Sequence, residues 1–170
     1  MDKGALAAAV RQFNADFDRA TMSWSAQAAF DRGSFATLLG VQVDDKRGAT
    51  ILGIGDSLAV LADGEEVRET FPYSSPEQFQ AHPLLLSTIL ERNGTLLEQQ
   101  PITRWSFEGM TAPRILCMTD ALGAWLLTDR AGRLPILLAL TSRFEFEALV
   151  VGERSQATMR RDDTSLLILG

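Results

Sequence analysis

Leu6, Val10, Phe13 and Phe17 recur at three- and four-residue spacing, the stripe of an amphipathic helix, so the first thirty residues read as helical. Trp24, Ala28 and Phe30 extend that texture to a break at Arg32-Gly33. In "SFATLLGVQVDD", residues 34–45, the period changes to two. Leu39, Val41 and Val43 alternate with Gly40 and Gln42, as in a half-buried strand. "ATILGIGDSLAVLADGEEVRETF", residues 49–71, predicts two or three more strands, and Asp63-Gly64 between them is the strongest hairpin signal in the chain.

Between Phe71 and Gln100 the texture becomes turn-rich. Prolines precede a short helix expected over Leu84–Glu91 and stopped by Asn93-Gly94. "ITRWSFEGM" and "RILCMTD" then read as a pair of strands, residues 121–128 and roughly 134–150 as helices around Pro135, and "DDTSLLILG" as a final strand. Hairpins interspersed with grouped helices, and no alternation of single strands and helices, predict an α+β fold with a mostly antiparallel sheet.

Composition narrows the class. The chain has 170 residues, enough for one domain that buries about 70% of its unfolded surface. A net charge of −6 without a basic tract argues against nucleic acid and anionic membrane surfaces as partners. No apolar run approaches the ~20 residues of a membrane span. The N-terminal stretch makes a poor signal peptide, so a cytoplasmic protein is expected. The single cysteine, Cys117, excludes an internal disulfide framework and a cysteine zinc site.

Three aspartates stand where strands end or begin: Asp56 in "GIGDS", Asp120 in "CMTDALG" and Asp162 in "RRDDTSLLIL". Each is explained by a cap or a turn, since an Asp before a helix accepts hydrogen bonds from the free N–H groups of its first turn. Together they also suit a hard cation, because Mg²⁺ and Mn²⁺ take oxygen ligands and carboxylates repel one another unless a cation intervenes. Spacing alone leaves both readings open.

In order, "ILGIGDSLAVL", "ILCMTDALGAWLL" and "RRDDTSLLILG" resemble three signature segments of the PPM (PP2C-like) metal-dependent serine/threonine protein phosphatases. Those segments are a strand ending in Gly-Asp-Ser, a strand ending in Thr-Asp-Gly, and a terminal Asp-Asn/Asp-x-Thr strand. "TFPYSSPEQFQAHPLLLS" is similar to the stretch after the Gly-Asp-Ser hairpin in bacterial members. The resemblance spans about residues 34–170. It implies an antiparallel β-sandwich flanked by helices in αββα layers, and hydrolysis of phosphoserine or phosphothreonine with Mn²⁺ or Mg²⁺. It places metal ligands at Asp120 and Asp162, a further and weaker metal site near Asp56, and supporting positions at Asp163 and Ser165. The partners it implies are a phosphorylated protein substrate or a regulatory kinase. The second function it leaves open is a catalytically inactive PP2C-like module that binds a protein partner.

The sequence also departs from the pattern. Ala121 follows Asp120 where the family has Gly. The family's bridging aspartate belongs to an Asp-Gly strand before the first long helix, and Met1 falls roughly where that helix begins. Asp63-Gly64 is the only Asp-Gly present and lies in a hairpin. Residues 1–170 are therefore expected to form one PP2C-like domain, N-terminally incomplete, whose sheet a second chain could complete. Alone it should hold Mn²⁺ or Mg²⁺ weakly.

The remaining candidates read as structural. His82 sits before a proline with no acid beside it in sequence; Cys117 lies within an apolar strand; Trp24, Trp105 and Trp125 suit core packing; Arg160-Arg161 suits a water-facing strand or, as a lesser reading, a contact to a phosphoprotein.

Overall fold

The computed structural model describes residues 3–44, 47–99 and 101–170. Met1, Asp45 and Gln100, which bound stretches discussed above, lie outside the described residues. The N-terminal helical region divides into α1 (Lys3–Ala15), a 3-10 turn (Arg19–Thr21) and α2 (Trp24–Arg32). Asp18 and Ser23 cause the division. Each side chain accepts a backbone N–H two or three residues on, which starts a new turn and stops the previous one. Helix α1 buries Leu6 and Val10 of the predicted stripe, but Phe13 is only partly buried and Phe17 lies beyond the helix end, 44% exposed. Trp24 is 84% exposed at the start of α2, which corrects its expected place in the core.

Three antiparallel sheets follow. A two-stranded one pairs β1 (Phe35–Ala36) with β6 (Leu86–Ser87). A three-stranded sheet has the order β2 (Leu38–Asp44), β3 (Gly48–Ile54), β7 (Ile102–Ser106). A four-stranded sheet has the order β5 (Glu66–Phe71), β4 (Leu58–Asp63), β8 (Pro113–Met118), β9 (Leu166–Leu169). The Asp63-Gly64 hairpin is present, with Asp63 opposite Glu66 and Gly64 at φ 59°.

The fold is α+β, with the larger two sheets face to face and helices on the far side of the four-stranded one. Strand β4 shows why. Ala59 and Leu61 point into a core shared with Ala49, Ile51, Trp105 and Ile115. Leu58, Val60 and Ala62 point the other way, onto α4 (Asp120–Thr128), α5 (Arg130–Leu138) and α6 (Arg143–Ser155). A strand buried on both faces reads as one apolar run, and "LAVLA" is that run. The helical layer is filled by Leu122, Trp125 and Leu126 of α4, Leu134 and Leu137 of α5, and Val150 of α6.

Three local expectations change. Strands β7 and β8 do not pair with each other: β7 lies against β3 and β8 between β4 and β9. The link between them crosses from one sheet to the other, so Trp105 and Ile115 meet face to face in one core. The stretch 84–99 is not a helix ended at Asn93-Gly94. It contains β6, a 3-10 turn (Leu90–Asn93) and α3 (Gly94–Gln99), so Gly94 begins a helix. The buried Asn93 amide is the reason: it accepts the Ser87 N–H at 2.8 Å and donates to the Ser87 carbonyl at 2.9 Å, holding the chain as a loop. The final helical region splits where the Ser142 hydroxyl caps α6 by accepting the Glu145 N–H, and Pro135 lies within α5.

Candidate functional site

Strands β8 and β9 run antiparallel with Met118 opposite Leu166, so the end of one meets the start of the other. Thr119, at the N-cap of α4, makes no capping bond to its own helix. Its hydroxyl instead donates to the Asp163 carbonyl at 3.1 Å and accepts the Ser165 N–H at 3.1 Å. The backbone N–H of Thr119 adds a bond to the Ser165 carbonyl at 3.3 Å. These contacts bring Asp120 and Asp162 to one corner of the molecule.

Asp120 is the first residue of α4, where the helix N-terminus favours a negative charge. Its Oδ1 accepts the Ala121 N–H at 2.6 Å. Its Oδ2 pairs with the guanidinium of Arg160. The same Arg160 Nη2 stands 3.5 Å from Asp162 Oδ2. Two carboxylates, from opposite sides of the β8–β9 junction, thus share one cation supplied by the chain itself. Asp120 keeps 18% of its side chain exposed, whereas Arg160 and Asp162 are half exposed, so the shallow carboxylate is the one free to move.

The segment carrying Asp162 is held from behind. Arg154 of α6 donates through Nη2 to the Asp162 carbonyl and, at 2.6 Å, to the Thr164 hydroxyl. Thr164 in turn donates to the Asp162 carbonyl at 3.0 Å. Asp163 and Ser165 reach the junction through their backbone, and their side chains are exposed. Thr164, one residue before the position expected to matter, makes the side-chain contacts.

Asp56 follows Gly55, whose φ of 93° and closeness to Thr37 leave no room for a Cβ. Asp56 does not share Arg160. Its link to Asp120 runs through Tyr73, whose phenol is pushed above its usual pKa by burial first and then by the negative charges of Asp56 and Asp120. Tyr73 packs edge-on against Phe79 at a centroid distance of 4.6 Å, and its hydroxyl lies 3.5 Å from the Gly55 carbonyl. A cavity of about 240 Å³ opens beside the acidic pair, lined by Phe79, Ala121, Trp125, Thr128, Thr158 and Arg160.

The donor set tests the metal expectation. Among the described residues, no group of three or more His, Cys, Asp or Glu lies close enough to hold a metal ion. Two carboxylates flanking a guanidinium do not fit a divalent cage, which needs six or more oxygen ligands including waters. Arg160, Arg154, Tyr73, Thr119 and Thr164 belong to this corner without having been singled out for it. Only Arg160 had a sequence signal, its place two residues before Asp162.

His82 is exposed. Cys117 is partly buried in β8, and burial pushes its thiol pKa up, as suits an inert thiol. Among the described residues no helix is long and apolar enough to cross a membrane.

No family model matches this sequence. No curated protein matches it either. Among solved structures, the chain is similar to the phosphatase domain of the cell fate determinant SpoIIE from Bacillus subtilis, at a TM-score of 0.44 and 11% sequence identity, over 99% of this chain and 73% of that one.

Proposed function

We propose that this chain is a PP2C-like phosphatase module acting on phosphoserine or phosphothreonine in proteins. In this reading Asp120 and Asp162, with Asp56, are the carboxylates that the motif resemblance assigns to a Mn²⁺ or Mg²⁺ site, too few by themselves for a divalent cage. One observation carries it: two carboxylates far apart in sequence, each beside a strand terminus, converge on a single cation at the positions where the motif resemblance puts metal ligands. The cation is the Arg160 guanidinium. The chain's own part is to hold Asp120 at the α4 N-terminus and to fix the Asp162 backbone through Arg154.

A second reading, a non-catalytic module that binds a phosphoprotein or a kinase, is favoured by Arg160 standing between the carboxylates. Hydrolysis of p-nitrophenyl phosphate against Mn²⁺ separates the two. The chain alone should turn over little. The chain extended at its N-terminus by a segment bearing an Asp-Gly strand should show Mn²⁺-dependent turnover that Asp120→Asn or Asp162→Asn cuts by orders of magnitude, while His82→Ala leaves it unchanged. Robust hydrolysis by the short chain that survives Asp120→Asn would overturn the assignment. An extended chain that folds and takes up Mn²⁺ without turnover would favour the second reading.

A further inference from the structure

We propose that the outer face of the three-stranded sheet carries a receptor for a phosphorylated serine or threonine side chain of a polypeptide, anchored by Arg47 and Arg104. The inference uses no residue of the acidic corner and stands apart from either reading of it.

Strand register places the pieces. Gln42 lies opposite Thr50 and Thr50 opposite Arg104, one row across β2, β3 and β7. Asp44, Gly48 and Ser106 make the next row. Ala49, Ile51 and Trp105, at the alternate positions, belong to the core between the sheets, so both rows stand on the outer face. Arg47 adjoins the end of these rows, its carbonyl accepting the Phe107 N–H at 2.9 Å. Gln42, Asp44, Arg47, Thr50, Arg104 and Ser106 line an open cavity of about 530 Å³. Gly48 keeps the space between them clear: it has no side chain, and a Cβ there would run into the Trp105 carbonyl oxygen.

The unspent donors of this lining select the ligand. Arg19, Arg68, Arg143 and Arg160 each pair with a carboxylate. The guanidiniums of Arg47 and Arg104 have no ion pair and no hydrogen bond among the described residues, although Asp44 lines the same cavity. The side chains of Gln42 and Thr50 are likewise without a partner there. The Ser106 hydroxyl accepts the Glu108 N–H at 3.1 Å, which leaves its own proton to donate. Two guanidinium forks with two hydroxyls and an amide suit the three terminal oxygens of a phosphoryl group better than the two of a carboxylate. Asp44 sets the charge limit. Two arginines and one aspartate leave a single net positive charge in a chain of net charge −6, which suits one phosphoryl group and repels a polyanion such as nucleic acid. The volume is that of a site for a drug-sized ligand, so it has room beside the phosphoryl group for the segment that carries it.

The test is fluorescence anisotropy of a fluorescein-labelled Gly-Ala-phosphoserine-Ala-Gly peptide, titrated with the whole chain in EDTA. The unphosphorylated peptide should bind about tenfold more weakly or less. Arg47→Gln and Arg104→Gln should each weaken phosphopeptide binding about tenfold. Arg104→Lys, which keeps the charge but loses the fork, should weaken it about threefold. Asp44→Asn should strengthen it about threefold by removing a repulsive charge. Arg161→Gln, which removes the same charge beside the acidic corner, should leave it unchanged. All four positions are exposed, and circular dichroism shows whether each variant is folded. Equal binding of the two peptides would overturn the proposal, as would phosphopeptide binding that survives Arg47→Gln and Arg104→Gln together or that is lost with Arg161→Gln. Inorganic phosphate that binds as tightly as the phosphopeptide would make this a free-anion site and overturn the peptide assignment, as would tighter binding of a labelled oligothymidylate. Because hydrolysis is not read, failure here leaves the phosphatase reading to its own assay.

Discussion

The carboxylate of Asp63 accepts the backbone N–H of Ala112 at 2.8 Å, tying the β4–β5 hairpin to the loop before β8. The same oxygen takes the Thr111 N–H at 3.0 Å, and the other faces Arg68 at 3.3 Å. The only Asp-Gly pair in the chain is therefore occupied in holding two loops together. Asp63 and the acidic corner do different work.

These donors favour the charged carboxylate, so the Asp63 pKa lies below its usual value, with the Ala112 N–H as the largest cause. The stabilisation is fully present above the unfolded carboxylate pKa of about 3.9 and is lost as pH falls through the lower folded value. Asp63→Asn should lower Tm near neutral pH, and its gap to the wild type should close in acid below about pH 4. Thermal melts of both proteins across that range check it. A gap of constant size would show that charge at Asp63 does not matter.

Trp125 and Glu153 support a second prediction. The indole N–H of Trp125, in α4, donates to Glu153 Oε2 of α6 at 2.7 Å. The Thr158 hydroxyl donates to the same oxygen at 2.6 Å. Hydrogen bonds from Thr158 and then Trp125 hold Glu153 below its usual pKa. Trp125→Phe keeps most of the buried ring and removes the donor, so it should cost about 2 kcal/mol, as expected for a bond to a charged group. A double-mutant cycle with Glu153→Gln should return a coupling of about 1 kcal/mol. Urea denaturation of the four proteins measures it, and additive losses would mean that the bond contributes nothing.

The sheets and the Asp63-Gly64 hairpin were readable because their signals are local. The continuous apolar run in β4 reports burial on both faces without knowledge of partners, and the alternation in β2 places Leu39 and Val41 against the core while Val43 stays exposed. Asp120 and Asp162 were legible as candidates through the motif resemblance, and it is the pairing of β8 with β9 that brings them together. Arg160 was not readable as their partner. Adjacent arginines look solvated, and the pairing exists only because Thr119 stitches the two strand ends together. The region 84–99 failed for a similar reason. Its leucines look helical, but Asn93 spends its amide on the backbone of Ser87, a choice set by tertiary burial.

Gly123 tests how closely α4 is seated. A Cβ there would lie 2.9 Å from Cζ of Phe79 and 3.1 Å from Cβ of Leu58, closer than packed carbon atoms tolerate. Phe79 cannot easily retreat, because its ring is wedged against Tyr73. Leu58 belongs to β4, which is paired on both sides. On an exposed helix, Gly→Ala would stabilise by up to ~1 kcal/mol through helix propensity. Here overpacking should win, and Gly123→Ala should destabilise by about 1–2 kcal/mol net. Removing the Phe79 ring as well should lessen the penalty of the second substitution, so Phe79→Ala with Gly123→Ala should cost less than the sum of the two. The same displacement would push α4 away from β4 and move Asp120 relative to Arg160. The Gly123→Ala chain should therefore show a lower urea midpoint. A more stable Gly123→Ala protein would mean that α4 packs more loosely than these distances require.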